Sequence, residues 1–204
     1  PHLHTLLQEY TPSVVCLQET KTEDRTFPKE SIEQLGYSVI YHGQKTYNGV
    51  AILSLEQMSD VHIGIPDFQD DQARVIAATS ADGVRVINVY VPNGDSLESP
   101  KFQYKLSWLR AFVDYVRREV TSYSSLAILG DFNIAPKEED VYDADTFREK
   151  VLCTTQERDL FQELLSLGFH DGLDGFLGEQ DRFTWWDYRM NAFRRKLGLR
   201  IDHI

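Results

Sequence analysis

Short apolar runs recur along the first two thirds of the chain, each bounded by polar residues or by Gly, Pro or Asn. Runs of four to six residues with alternating or continuous apolar character are typical of β-strands buried on one or both faces. They predict six strands, at residues 14–17, 37–41, 50–53, 75–79, 84–89 and 126–129. Ala81-Asp82-Gly83 predicts a hairpin turn between the fourth and fifth strands, because Asp-Gly favours the backbone conformations that match strand twist.

Three other segments have apolar residues at helical spacing. They predict an amphipathic helix over residues 1–10, a long helix with apolar residues from 106 to 120, and a helix around residues 160–167 that ends at Gly168. A final alternating segment, 199–204, is predicted to begin a strand. Paired strands with a few helices predict an α/β fold of two packed sheets with helices outside. No low-complexity linker interrupts the chain, so one domain over residues 1–204 is predicted.

Composition narrows the class of protein. The 21 basic and 32 acidic residues give a net charge of −11, which argues against nucleic-acid binding through overall charge. DNA is still allowed as a substrate, because a divalent-cation site needs acidic ligands and a basic face can be local. The two cysteines, Cys16 and Cys153, are too few for a disulfide framework. With no apolar run of membrane-spanning length and no signal peptide, a cytoplasmic protein without a membrane partner is predicted.

Polar side chains lie where the predicted strands end. Glu19, Tyr90 and the pair Asp131 and Asn133 each follow an apolar strand, and Asp202 lies within the last one. One acidic residue after a strand is commonplace, but strand ends are also where active sites of α/β folds collect. Carboxylate and amide oxygens suit Mg²⁺ or Mn²⁺. Without a P-loop, a nucleophile elbow, zinc spacing or a dinucleotide fingerprint, the pattern predicts metal-assisted phosphoester hydrolysis.

The segment Gly130-Asp131-Phe132-Asn133 carries the most specific chemistry. In extended backbone, Asp131 and Asn133 lie on the same side, so one can orient or deprotonate a water while the other donates a hydrogen bond to phosphate. Gly130 is expected to let the backbone approach the substrate closely.

Five segments occur in the order seen in one known family: residues 17–21 (LQETK), 88–94 (NVYVPNG), 130–136 (GDFNIAP), 183–189 (FTWWDYR) and 198–202 (GLRID). They resemble the exodeoxyribonuclease III family, the AP endonuclease branch of the endonuclease/exonuclease/phosphatase superfamily. The resemblance implies a four-layered, deoxyribonuclease I-like α/β sandwich, in which two packed mixed sheets are flanked by helices.

The resemblance also implies residue roles. Glu19 resembles the main Mg²⁺ ligand, and Asp131 resembles the residue that activates the attacking water and contacts metal. Asn133 resembles the phosphate-positioning amide and is a further metal candidate, while Tyr90 resembles the tyrosine whose hydroxyl reaches the scissile phosphate. Asp202 resembles the carboxylate that orients a catalytic histidine. Substrate contacts are expected of four residues: Arg74, Asn93, Trp185 and Arg189.

The sequence departs from the family pattern at its two ends. The first family strand, with its metal-assisting Asn, and the final Ser-Asp-His motif are absent, and His203 does not match the catalytic histidine. The chain is therefore predicted to be truncated at both ends and impaired by itself, whereas the full protein is expected to be active.

The implied function is Mg²⁺-dependent hydrolysis of DNA in base-excision repair, with Mn²⁺ as a possible substitute. The expected reaction is cleavage 5′ to abasic sites, with 3′→5′ exonuclease and 3′-phosphatase activity, by a monomer acting on double-stranded DNA with abasic sites or 3′ ends. Two alternatives stay open: a phosphoesterase acting on a phosphoinositide, a sphingolipid or RNA, and a non-catalytic binding module.

Two charged segments lie near these motifs. The basic cluster Arg194-Arg195-Lys196, with Arg182, Arg189 and Arg200 nearby, is predicted to contact the phosphate backbone. The acidic run 137–143 is predicted to be a solvated loop or helix start. Strand alternation places Trp185 and Trp186 on opposite faces, so that one packs and the other faces a groove.

Overall fold

The computed structural model describes residues 2–173, 182–189 and 191–204. The helices are α1 (His2–Tyr10), α2 (Lys29–Glu33), α3 (Pro100–Ser122), α4 (Ala144–Phe147) and α5 (Thr155–Ser166). The strands are β1 (Val14–Gln18), β2 (Ser38–His42), β3 (Val50–Ser54), β4 (Ser59–Ile63), β5 (Val75–Thr79), β6 (Arg85–Tyr90), β7 (Leu126–Asp131), β8 (Trp185–Trp186), β9 (Gly198–Leu199) and β10 (Asp202–His203). The chain forms two compact units, Pro1–Tyr90 with Ser122–Gly130 and Val91–Thr121 with Asp131–Ile204. The prediction of a single domain stays a prediction.

The first unit is built around β3. This strand lies between β1 and β2 and pairs antiparallel with both. Its alternate side chains point to opposite faces. Ala51 and Leu53 pack with Leu7 of α1 and Ile32 of α2, which cover one face of the sheet.

The opposite face of β3 packs on a second sheet, in which β4, β5, β6 and β7 lie side by side in that order. Val50 and Ile52 of β3 contact Ile76 of β5 and Val86 of β6. Because β3 is buried on both faces, its sequence is continuously apolar rather than alternating. The first unit therefore confirms the predicted packing of sheet on sheet with helices outside.

The predicted hairpin is confirmed. Strands β5 and β6 pair antiparallel from Val75 opposite Val89 to Thr79 opposite Arg85. Gly83 takes a φ of +87° in the connecting turn, a conformation that favours glycine.

Strand β4 was not predicted. Its apolar residues, Val61 and Ile63, are 47% and 49% exposed, at the edge of the sheet. The register against β5 shifts between Ser59 and His62, as in a β-bulge. An exposed, bulged edge strand lacks the apolar core face on which strand prediction depends.

The second unit contains α3 and α5, both as predicted. One face of α3 is buried and carries Trp108, Leu109 and Phe112. Helix α5 begins with a reciprocal capping box between Thr154 and Glu157. It ends at Ser166, and the predicted terminating glycine, Gly168, follows the C-cap residue with a φ of +107°.

The end of the chain differs from its prediction. In place of one strand over 199–204, there are two short strands, β9 and β10. Strand β9 pairs antiparallel with β8, so that Trp185 lies opposite Leu199. Leu199 and Ile201 pack with Ala135, Val141 and Cys153 in a core cluster of the second unit. Within the described ranges, no helix has the length and apolar character needed to cross a membrane.

Candidate active site

In the first unit, Glu19 directly follows β1 and has a φ of +53°. Its Oε1 accepts a hydrogen bond from the Tyr90 hydroxyl at 2.5 Å, and its Oε2 lies 2.8 Å from the Lys21 ammonium. The Glu19 side chain is 45% exposed, so the carboxylate is held at both oxygens and still reachable from solvent.

These contacts determine the ionisation of Glu19. Partial burial by itself raises the pKa of Glu19, but the hydrogen bonds from Lys21 and Tyr90 and the nearby positive charge outweigh it. The pKa therefore lies below its ordinary value, and the carboxylate is ionised at neutral pH.

Arg74 lies behind Tyr90. Its guanidinium is 4.8 Å from the centre of the Tyr90 ring and donates a hydrogen bond to the Tyr90 carbonyl at 3.0 Å. Gln72 accepts two further hydrogen bonds from the same guanidinium, and Arg74 is only 9% exposed. This geometry makes Arg74 a positioning residue for Tyr90. Its predicted substrate contact stays a prediction.

Asn88 fixes the end of β1 next to Glu19. It is fully buried, and its amide nitrogen donates to the carbonyls of Leu17 at 2.9 Å and Ala51 at 2.8 Å. Its amide oxygen accepts from the side chain of Gln18 at 2.7 Å. The hydrogen bonds of the Asn88 side chain therefore connect β6 to both β1 and β3.

In the second unit, Asp131 and Asn133 are joined by a tight turn. The Asn133 backbone N–H donates to Asp131 Oδ1 at 2.9 Å, and Asn133 has a φ of +49°. The backbone leaves the extended conformation at Asn133, so the prediction from strand alternation is wrong. An Asp side chain that caps the N–H two residues later holds the two polar groups together instead.

The Asn133 amide is 4% exposed and connects two loops. Its nitrogen donates to the Val91 carbonyl at 3.0 Å, and its oxygen accepts from the Asn93 amide at 2.9 Å. The Asn93 amide oxygen accepts from the backbone N–H of Asp95. Asn93 thus supports Asn133, while the predicted contact of Asn93 with substrate stays a prediction.

Asp202 lies in β10, and Thr184 holds its backbone. Thr184 Oγ1 accepts from the N–H groups of Ile201 at 3.2 Å and Asp202 at 3.1 Å. Burial raises the pKa of Asp202 above its ordinary value, although the Thr184 hydroxyl and the His203 ring oppose that rise.

His203 is a core residue. It is 3% exposed, and its Nε2 lies 2.9 Å from the Ile134 carbonyl. Its ring packs against those of Phe132 and Phe161. This placement agrees with the prediction that His203 is not the catalytic histidine.

We expect Asp202→Asn to lower activity without lowering stability at pH 7. Because the folded-state pKa of Asp202 is raised, ionisation costs stability, and that cost appears as pH rises through this pKa. The amide carries no charge, so the variant should unfold at an equal or higher urea concentration at pH 7. This advantage should vanish below about pH 4, the pKa of an unfolded Asp. Asp145→Asn, at a side chain that is 91% exposed, is the control. A lower midpoint at pH 7 for Asp202→Asn would contradict this prediction.

The aromatic segment has one partly buried and two exposed rings. Trp185 is 41% exposed and Tyr188 is fully exposed, whereas the Trp186 ring packs edge-on against Phe193 at 4.9 Å. Both tryptophans line the same groove, so the predicted division between a packing and a groove-facing ring stays a prediction. These residues line an open groove of about 490 Å³. The Arg189 side chain is 88% exposed and lies near Asp187.

Two charge predictions are wrong in part. The Arg200 side chain is 1% exposed and pairs with Asp140 and Asp171, both at 2.7 Å. Arg182 pairs with Glu139 at 2.6 Å and is largely covered. Asp140, from the supposedly solvated acidic run, is fully buried. These paired charges of the second unit are not available as a phosphate-binding face. The phosphate contact predicted for the exposed Arg194, Arg195 and Lys196 stays a prediction.

Gly130 has a structural role that was not predicted, while its predicted close approach to substrate stays a prediction. It has a φ of +154°, and a Cβ at this position would lie 1.9 Å from the Val89 carbonyl oxygen. The close approach that requires glycine is therefore to the neighbouring strand β6.

The donor set fits a hard divalent cation. Among residues 2–173, 182–189 and 191–204, no three His, Cys, Asp or Glu side chains cluster as metal ligands. Mg²⁺ needs no such cluster, because it binds through one or two carboxylates and completes its shell with water and substrate phosphate. The ionised, solvent-accessible Glu19 carboxylate has this character, whereas a zinc site would need more protein ligands.

Sequence reasoning missed Lys105 and Glu157, which form a fully buried ion pair at 2.5 Å. Lys105 precedes the buried Trp108, Leu109 and Phe112 by three, four and seven residues. Glu157 precedes the apolar residues of α5 at the same spacing. A charged residue on the apolar stripe of each helix was the signal that could have found them.

Comparisons with known proteins identify the family of this chain. The sequence description of the Endonuclease/Exonuclease/phosphatase family matches residues 2–204. Exodeoxyribonuclease III of Haemophilus influenzae is 36% identical over 217 residues, which cover 100% of this chain and 81% of that protein.

Two solved structures are also similar. The 3′ phosphatase NExo from Neisseria, bound to product DNA hairpin, is 48% identical with a TM-score of 0.96, covering 100% of this chain and 79% of that one. An AP endonuclease from Archaeoglobus fulgidus is 38% identical with a TM-score of 0.91, covering 98% of this chain and 78% of that one.

The chain belongs to the Endonuclease/Exonuclease/phosphatase family. Within that family it is a hydrolytic nuclease of the exodeoxyribonuclease III type, with the predicted α/β fold of mixed sheets and flanking helices. The family is metal-dependent, in agreement with the predicted need for a divalent cation.

Proposed function

We propose that this protein hydrolyses DNA phosphodiesters 5′ to abasic sites in base-excision repair, with 3′→5′ exonuclease and 3′-phosphatase activity. The observation that carries the proposal is the Glu19 carboxylate, held between the Tyr90 hydroxyl and the Lys21 ammonium at a strand end. An ionised carboxylate beside a hydroxyl donor suits a cation-assisted reaction at phosphate, because the carboxylate can hold the cation while the hydroxyl donates to a phosphate oxygen.

The remaining roles follow the chemistry of each group. Asp131 accepts a proton from, or orients, the attacking water. Asn133 donates a hydrogen bond to charge that develops on the phosphate. The oxygen of the Asn133 amide already accepts from Asn93, which favours this donor role over metal ligation. Asp202 orients the group that protonates the leaving oxygen.

Glu19 is the residue proposed to hold Mg²⁺, with Mn²⁺ as a substitute, while the metal contact predicted for Asp131 stays a prediction. When bound, the cation would neutralise negative charge on the phosphate. The lowered pKa of Glu19 favours this role, because the carboxylate needs no deprotonation before it binds a cation.

Double-stranded DNA is the proposed partner. The exposed rings of Trp185 and Tyr188 line an open groove, and Arg189 beside them is solvent-accessible. Aromatic faces can stack on an unpaired nucleotide, and an exposed arginine can contact phosphate. The relatives include a 3′ phosphatase bound to a DNA hairpin and an AP endonuclease. The proposal includes a monomeric, cytoplasmic protein with the family domain over residues 1–204.

Metal removal tests the proposal directly. The full-length protein is incubated with duplex DNA carrying a tetrahydrofuran abasic analogue, with Mg²⁺, with EDTA, or with EDTA followed by excess Mg²⁺. We expect nicking 5′ to the analogue with Mg²⁺, none with EDTA, and recovery when Mg²⁺ is restored. An undamaged duplex of the same sequence is the control. Nicking that persists in EDTA, or none under any condition, would sink the proposal.

A further inference from the structure

Lys105 and Glu157 form an ion pair with no solvent exposure on either side chain. Lys105 comes from α3 and Glu157 from the first turn of α5. A buried pair of this kind is weak evidence for stability, because the cost of removing two charges from water can exceed their attraction. A role other than stability must therefore be sought in the contacts that the two side chains make.

The Lys105 ammonium has three N–H donors, and three acceptors surround it. These are Glu157 Oε1 at 2.5 Å, the Asn133 carbonyl at 2.6 Å and the Asn93 carbonyl at 3.1 Å. The two carbonyls belong to different loops, one after β6 and one after β7. The side chains of Asn93 and Asn133 are also hydrogen-bonded to each other.

Glu157 holds the ammonium in place from the other side. Its carboxylate accepts from the backbone N–H groups of Leu152 and Thr154 and from the Thr154 hydroxyl. The carboxylate is thereby fixed to the backbone at the start of α5. Lys105 has little freedom, because every donor has a partner on rigid backbone or on this anchored carboxylate.

We infer that Lys105 is a positioning residue, whose buried ammonium holds the Asn93 and Asn133 loops in the geometry that the nuclease reaction needs. The inference rests on the proposed function of Asn133. Lys105 would not touch substrate. It would instead fix the loop that carries Asn133 and begins at Asp131, whose charge also acts on the ammonium.

The test separates positioning from stability with Lys105→Met, Glu157→Gln and the double variant. Lys105→Met leaves a buried carboxylate unpaired, so its urea midpoint should fall. The double variant buries no charge, and the Gln oxygen can still accept from Thr154, so its midpoint should lie clearly above that of Lys105→Met. The kcat of the double variant on the abasic-analogue duplex should nevertheless remain at least about 10-fold below that of the wild type, because the Asn93 and Asn133 loops are no longer held. Its KM should stay within about twofold of the wild-type KM. Glu157→Gln by itself keeps both ammonium–carbonyl contacts and should retain most of its kcat per folded molecule.

The matched control lies on the same two helices. Arg117 of α3 and Glu163 of α5 pair at 2.6 Å, and both are about half exposed. Arg117→Met with Glu163→Gln should change neither kcat nor KM. Recovery of kcat along with the midpoint in the double Lys105/Glu157 variant would overturn the inference. A kcat in Glu157→Gln as low as in Lys105→Met would overturn it too, even if the double variant did not fold. The wild type is assayed in parallel. If the wild type does not nick the abasic-analogue duplex, the proposed function fails, whereas the inference about Lys105 fails only by the two outcomes above.

Discussion

Asp131→Asn should leave the protein folded and remove most of its nuclease activity. The amide oxygen of Asn can still accept the hydrogen bond from the Asn133 N–H, so the turn should persist. The amide cannot take a proton from water, and loss of a general base costs about 10²–10⁴-fold in rate. We expect a fall of this size in kcat on the abasic-analogue duplex, with an unchanged urea midpoint.

The control for this prediction is Asp159→Asn, the same chemical change at an exposed position of α5. It should behave as the wild type in both measurements. Retention of more than about a tenth of the wild-type kcat by Asp131→Asn would remove Asp131 from the proposed role, since even a modest general base contributes more than that.

Gly130→Ala is expected to cause the largest loss of stability. The new methyl group would lie 1.9 Å from the Val89 carbonyl oxygen, and the φ of +154° is unfavourable for alanine. Steric overlap in a packed region and backbone strain each cost about 1–3 kcal/mol. The overlapping atom is strand backbone, which cannot move away without disturbing the sheet. We expect the free energy of unfolding, measured in urea, to fall by several kcal/mol.

Gly83→Ala separates the two contributions. Gly83 also has a positive φ, +87°, but a Cβ there would have no atom within 4 Å. This variant should show only the strain, about 1–2 kcal/mol. Equal losses for Gly83→Ala and Gly130→Ala would show that the contact with Val89 is not what requires glycine at position 130.

Much of the fold could be predicted from local pattern. The six predicted strands, the Asp82-Gly83 hairpin and the three predicted helices all occur, because each has either an apolar face or a specific turn residue. Strand β4 was missed because its apolar side chains face solvent, so periodicity gave no sign of a core. Metal-assisted phosphoester hydrolysis was also predictable as the class of reaction, because the carboxylate and amide side chains that suit it directly follow predicted strands.

The wrong predictions share a physical cause. Asp140 and Arg200 are 60 residues apart, and only the folded chain shows that they neutralise each other in the core. Composition suggests a solvated acidic loop and a basic face, but the fold determines which acidic and basic side chains pair with each other. Topology also decides the contacts of Arg74, because the sequence placed it near the site but could not show that its guanidinium lies against the Tyr90 ring.

The Glu157 carboxylate takes part in two interactions. It completes the capping box of α5 with Thr154, and it is the counterion of Lys105. The first turn of α5 therefore cannot fray without leaving a buried ammonium unpaired. Native-state hydrogen exchange at the start of α5 should then be slow and should follow the same opening event as the Asn133 amide. The end of a helix is ordinarily among the first parts of a protein to open. Here it would belong to the same cooperative unit as the Asn133 loop, for which a catalytic role is proposed.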